Sequence, residues 1–209
     1  INQGCTGYIY GLGLAKGLIE TNGLNNVLLL TTSTLTKWIH PQDRSSRALF
    51  GDGAAASLLS ASNKSKGLGI FKYETDGGNG DKITIQDGYA RNPISTESYN
   101  EEADQFGNIT SPAHLKMNGA GLFSLSLQTV PPFIKRLLTS SETSLEGIDL
   151  FVFHQANAFM IDAIRQKAEI PLKKFFVCSQ HCGNTVSSTI PIALYEAEKS
   201  GELKRGMRV

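Results

Sequence analysis

Apolar residues recur at helical spacing at Tyr8, Leu12, Ala15 and Ile19, which predicts a helix over residues 6–22 ending at Thr21-Asn22-Gly23. The next block, Val27-Leu28-Leu29-Leu30-Thr31-Thr32, lacks polar alternation, as expected of a strand buried on both faces. Two more strands are predicted at 54–59, after Phe50-Gly51-Asp52-Gly53, and at 67–73. From 76 to about 112 the pattern dissolves into Gly, Asn, Asp, Ser and Thr, with one short strand at 83–86. A stretch this long is a functional loop or a bridge between two halves. Helical periodicity returns over 119–139, with Pro131-Pro132 as a kink or break. A buried strand at 150–153, a helix over 157–167, a strand at 175–179, a loop at 181–184 and a helix over 187–200 follow. Strands alternating with helices imply an α/β fold with largely parallel sheets.

Composition narrows the function classes. Hydrophobic residues are 40% of the 209, enough for one large core or two modest ones. Twenty basic residues against nineteen acidic leave a formal charge of +1, without a block of like charge. The attraction needed for nucleic acid or a membrane surface is therefore missing. No stretch approaches the roughly 20 apolar residues of a spanning helix. No basic flank leads into an apolar run at the N-terminus, so no signal peptide is read there. Three cysteines, Cys5, Cys178 and Cys182, fit reduced thiols in the cytoplasm better than a disulfide framework. The chain starts at Ile1 without Met and stops straight after a helix-like segment, so both ends are expected to be truncated.

Three positions carry candidate chemistry, each with a plainer alternative. Cys5, in Gly4-Cys5-Thr6-Gly7, sits at the start of the first predicted helix, where unpaired N–H groups and the helix dipole favour a thiolate with a depressed pKa. A buried Cys filling a helix–strand gap is the alternative. His154 ends a predicted strand and opens His154-Gln155-Ala156-Asn157, facing the crevice where α/β proteins place their sites. It reads equally as a core histidine bonded to a carbonyl. Asn184, in Gly183-Asn184-Thr185, could simply cap a helix. Other patterns are weaker. The glycines at 11, 13 and 17 fall inside a helix and suit close packing better than a dinucleotide. Cys178, His181 and Cys182 lack a fourth ligand, so no metal is assigned to them. His40 and His114 lie in polar, turn-rich surroundings and read as solvated.

Together, in order and almost end to end, these segments resemble the 3-oxoacyl-[acyl-carrier-protein] synthase III family. Gly4-Cys5-Thr6-Gly7-Tyr8 resembles its nucleophile segment, and Asp43-Arg44 with Phe50-Gly51-Asp52-Gly53-Ala54 the block after its next strand. Met117-Asn118-Gly119 with Phe123 resembles the start of its long helix. Val152-Phe153-His154-Gln155-Ala156-Asn157 and Gly183-Asn184-Thr185, with Ser188, Pro191 and Ala193-Leu194, resemble its two C-terminal signatures.

The resemblance implies a five-layered thiolase-like fold of two similar α/β halves, incomplete in this chain. Residues 1–75 would be the remainder of the first half, 76–112 a bridging insertion larger than in housekeeping members, and 113–209 the second half without its last strands. A segment before the cysteine and a glycine-rich terminal strand would be absent. It further implies a homodimer using acyl-coenzyme A and malonyl-acyl carrier protein, with no cofactor besides these thioesters. Cys5, His154 and Asn184 would be catalytic. Arg44 and Asn157 would bind substrate, and Gln155, Ala156, Asn157, Ala158 and Phe159 the carrier protein. Phe159 stands where many members have arginine, which weakens electrostatic docking there, although Arg165 and Lys167 lie on the same predicted helix. Decarboxylative condensation is the leading expectation. A non-condensing transferase acting on an alcohol or amine is the alternative, and retention of Asn184 argues against it. A non-catalytic partner subunit is disfavoured by Cys5.

Overall fold

A computed structural model of the protein describes residues 1–62 and 67–209. Helix α1, Gly7–Asn22, stops at Gly23 in the left-handed conformation and buries Tyr8, Gly11 and Ala15. The helix lies on strand β1, Asn26–Ser33. A Cβ on Gly11 would sit 2.7 Å from Leu29 Cδ1, so the glycine is there for close helix–strand contact.

Strand β1 pairs antiparallel with β2, Gly53–Ser60, from Asn26↔Ser60 to Ser33↔Gly53. The unbroken apolar run in β1 predicted burial on both faces. Instead Leu28, Leu30 and Leu58 are 60–69% exposed on one face, while Leu29, Thr31 and Leu59 point inward. The described chain packs α1 against one side of this ribbon only.

Between β1 and β2 lie a 3-10 turn, Leu35–Trp38, and the short helix α2, Arg44–Arg47. The carboxylate of Asp43 caps α2, accepting the N–H groups of Ser45 and Ser46 at 3.1 Å each. Burial works to raise the Asp43 pKa, but the bonds from Ser45 and Ser46 outweigh it and hold the value below the ordinary one.

The segment read as a long loop holds short elements of its own. Strand β3, Ile83–Ile85, lies where a strand was expected, while a hairpin joins β4, Glu102–Ala103, to β5, Ile109–Thr110. β3 pairs antiparallel with β6, Leu115–Met117. Leu115 enters a small core with Ile39 and Phe50, and Ile85 of β3 packs against it, tying this segment to the chain between β1 and β2. His40 is buried rather than solvated: its Nδ1 accepts the Gln42 N–H at 3.2 Å and its Nε2 lies 3.1 Å from Glu101. The local polar composition concealed this, because Glu101 and the His114 ring that pack on it come from a distant part of the chain.

Residues 67–73 form no strand. They lie across α1, with Lys16 Nζ on the Gly69 carbonyl at 2.8 Å and the Tyr10 and Tyr73 rings 4.4 Å apart. Their neighbours are helix side chains rather than a sheet edge, so no ladder forms.

Helix α3, Gly119–Ser140, runs unbroken through Pro131 and Pro132, contrary to the expected break. Two backbone donors are lost there, and burial of Pro131 and Ile134 in the core compensates. That core gathers Ile148, Phe151, Ile161, Ile170 and Phe175. Strand β7, Phe151–Val152, leads to α4, Ala158–Lys167; β8, Phe175–Phe176, leads through the single turn α5, Ser179–Cys182, to α6, Thr189–Lys199. β7 and β8 pair in parallel. The other described strand pairs are antiparallel, with one isolated parallel bridge at Phe50↔Asn184, so the expectation of largely parallel sheets does not hold for them.

Candidate active site

The loop before α6 is built on two glycines. Gly183 has φ 64, and a Cβ there would lie 2.8 Å from the Leu49 carbonyl. A Cβ on Gly51 would lie 2.0 Å from the Cys182 carbonyl. With both side chains absent, the two segments close into a bridge: Asn184 N donates to Leu49 O at 2.8 Å and Gly51 N to Asn184 O at 3.1 Å. The buried Asn184 side chain then accepts the Val186 N–H on Oδ1 at 2.9 Å. Using the amide oxygen locally orients the side chain and keeps its NH2 group for another acceptor.

The 3-10 turn Val186–Ser188 follows at once. Val186 has φ 57, a left-handed conformation that a β-branched residue adopts only when its surroundings hold it. A Cβ on Gly4 would stand 3.9 Å from Val186 Cγ1, and one on Gly7 would stand 3.2 Å from Ser187 Cβ. The residues flanking Cys5 therefore pack on this turn. His154, just past the C-terminal end of β7, reaches it from the other side, with Nδ1 2.6 Å from the hydroxyl of Thr189, the first residue of α6. The neighbourhoods of Cys5, His154 and Asn184 thus meet at one turn, though 149 residues separate the first two in sequence.

Electrostatically the site is neutral. Burial pushes the Cys5 thiol up to about 11, against the lowering effect of its own backbone N–H. This corrects the expected thiolate: desolvation exceeds the lowering by the backbone hydrogen bond. Burial likewise pushes His154 down to about 4, opposed by the Val186 carbonyl. At neutral pH a thiol and a neutral imidazole stand here, not an ion pair.

Comparison with known proteins decides the family. Residues 1–77 match the family profile for 3-Oxoacyl-[acyl-carrier-protein (ACP)] synthase III, and 138–209 match its C-terminal counterpart. The chain belongs to the 3-oxoacyl-[acyl-carrier-protein] synthase III family. A beta-ketoacyl-[acyl-carrier-protein] synthase III of Clostridium perfringens is 34% identical over 99% of this chain and 60% of its own length. One of Porphyra umbilicalis is 33% identical over 100% of this chain and 62% of its own. A crystal structure of a 3-oxoacyl-(acyl-carrier-protein) synthase III, 48% identical, superposes with a TM-score of 0.94 over 99% of this chain and 62% of that one. The fold is therefore the thiolase-like α/β fold expected from the motifs. The chain spans about three-fifths of the length of the curated relatives it matches.

The remaining expected site residues divide. Gln155 does not suit carrier contact: it is 1% exposed, donates to Phe153 O at 2.8 Å and accepts Cys178 N–H at 2.9 Å. It is a strut between the ends of β7 and β8, and its motif alone gave no sign of burial. Asn157 caps α4, its Oδ1 accepting Met160 N–H at 2.8 Å. Ala156 is half-buried, while Ala158 and Phe159 are exposed, with the Phe159 ring stacked on Phe123 at 5.3 Å. Arg44 is exposed, and its guanidinium borders Gly107 of the insertion. Sequence reasoning missed Val186 and Thr189. A threonine opening a helix looks like an ordinary cap, and no sequence signal marks the left-handed valine.

Proposed function

We propose that the protein is a condensing enzyme of the ketosynthase III type. The meeting of the Cys5, His154 and Asn184 neighbourhoods at the Val186–Ser188 turn carries this reading. The Cys5 sulfur attacks the carbonyl of an acyl-coenzyme A. The thioester C–S bond of the substrate breaks, an acyl-Cys5 forms, and coenzyme A leaves with the thiol proton. Because Cys5 is protonated at neutral pH, proton loss accompanies attack instead of preceding it. A malonyl thioester on acyl carrier protein then loses carbon dioxide. Its enolate carbon bonds to the acyl carbon, the Cys5 C–S bond breaks, and 3-oxoacyl-carrier protein leaves as Cys5 regains a proton.

During decarboxylation negative charge gathers on the malonyl thioester oxygen. A neutral imidazole N–H from His154 and the Asn184 amide NH2 stabilise that charge without delivering a proton early. Asn184 favours condensation over transfer to an alcohol or amine, because only the enolate step needs this second donor. Arg44 serves the nucleotide end of coenzyme A. Asn157, Ala158 and Phe159 face the carrier, with an aromatic surface in place of a cation. No cofactor enters beyond the two thioesters. The family resemblance supports a cytoplasmic homodimer and two similar halves, 1–75 and 113–209, bridged by 76–112.

The test is to incubate the purified protein with acyl-coenzyme A and malonyl-carrier protein. Carbon dioxide and a 3-oxoacyl product are expected, with acyl label on Cys5. Label on Cys5 without carbon dioxide above background refutes condensation, and a Cys5→Ala variant that still acquires the label refutes the nucleophile.

A further inference from the structure

Thr189 is 1% exposed and its hydroxyl holds one proton between two acceptors. His154 Nδ1 lies 2.6 Å away and the Val186 carbonyl 3.1 Å away. The choice between them fixes what the imidazole shows on its other side. If the hydroxyl donates to Nδ1, the ring proton resides on Nε2 and Nε2–H is a donor. If the hydroxyl donates to Val186, its oxygen accepts from Nδ1–H, and Nε2 presents a lone pair that would repel an enolate oxygen.

We propose that Thr189 is a positioning residue that holds His154 in the tautomer whose Nε2–H donates to the reacting thioester oxygen. The inference deepens the condensing role proposed above and rests on it. Two considerations favour donation to Nδ1. That contact is the shorter of the two, and an imidazole nitrogen is a stronger base than an amide oxygen. The ring is also uncharged at neutral pH, so its tautomer is open to selection. Opposing this, the carbonyl of the left-handed Val186 is the rival acceptor for either proton. Without the hydroxyl, Nδ1–H pairs with Val186 and the useful donor is lost.

The experiment compares the wild-type protein with Thr189→Val, which keeps the shape, and Thr189→Ser, which keeps the hydroxyl. Side-chain ¹⁵N spectra of His154 report the tautomer, and Cys5 acylation and carbon dioxide release are timed separately. Melting temperatures confirm that each variant is folded. The wild type and Thr189→Ser should show Nε2–H, and Thr189→Val should shift toward Nδ1–H. In Thr189→Val, carbon dioxide release should fall about tenfold or more relative to acylation, and Thr189→Ser should restore it. A Thr189→Val protein that keeps Nε2–H, or loses both half-reactions equally, overturns the proposal. If the wild type released no carbon dioxide, the condensing reading would fail, whereas the spectra would still decide whether Thr189 sets the tautomer.

Discussion

Cys5 and His154 are held neutral by the same cause acting in opposite directions. Burial raises the thiol to about 11 and lowers the imidazole to about 4. The thiol gives a first prediction: mass-mapped alkylation of Cys5 by iodoacetamide should still be climbing above pH 9, with its midpoint near 11. A plateau by pH 8 would contradict the raised thiol value. For His154 the folded value lies below the ordinary 6.5, so the unfolded chain takes up the proton first as pH falls. Its contribution to stability is complete above about pH 6.5 and is lost toward pH 4. Urea midpoints should therefore fall over that window more steeply in the wild type than in His154→Gln. Equal slopes would contradict the shift. The ordered motifs named Cys5, His154 and Asn184 together, and the surroundings of all three meet at the Val186–Ser188 turn. The thiol's protonation was not legible, because desolvation depends on what the fold wraps around the sulfur.

Among the elements, helices were easier to read than strands, for a physical reason. Periodicity in α1 and α3 is local, and both helices lie close to their expected spans. A strand needs a partner edge that sequence does not name. Residues 67–73 have suitable composition yet pack on α1, and β1 shows an apolar run with one face exposed. Gln155 was misread likewise, because its partners lie across β7 and β8. The closure of the Gly51 and Gly183 segments is the element-scale feature that positions Asn184. Gly51→Ala should be destabilised by about 2 kcal/mol or more, since backbone must move to admit the methyl, and thermal or urea unfolding checks this. Stability unchanged from wild type would mean the bridge is looser than described. Pro132→Ala, at an exposed position inside α3, should be stabilised by about 1–3 kcal/mol through recovery of a helix donor.

At the scale of the whole molecule, the β1–β2 ribbon presents an apolar face while residues of α3, α4, β7 and β8 close a core. Leu28, Leu30 and Leu58 form a contiguous exposed face on paired strands, the kind of surface that seeks a cover. The chain of 209 residues should bind a hydrophobic dye and self-associate, and a Leu30→Thr, Leu58→Thr pair should reduce both in light scattering. An unchanged scattering signal would show that the face does not drive association. Sequence could not reveal this face, since continuous apolar runs look the same whether one side or two are covered.

The proposed condensation rests on a division of labour, in which one side chain would hold the acyl group and two uncharged donors would steady the enolate formed next to it. Single-turnover kinetics of Asn184→Ala address it most directly. Acyl-Cys5 is expected to accumulate as in the wild type while carbon dioxide release slows by about 10²–10³. Slowed acylation with undiminished decarboxylation would contradict it.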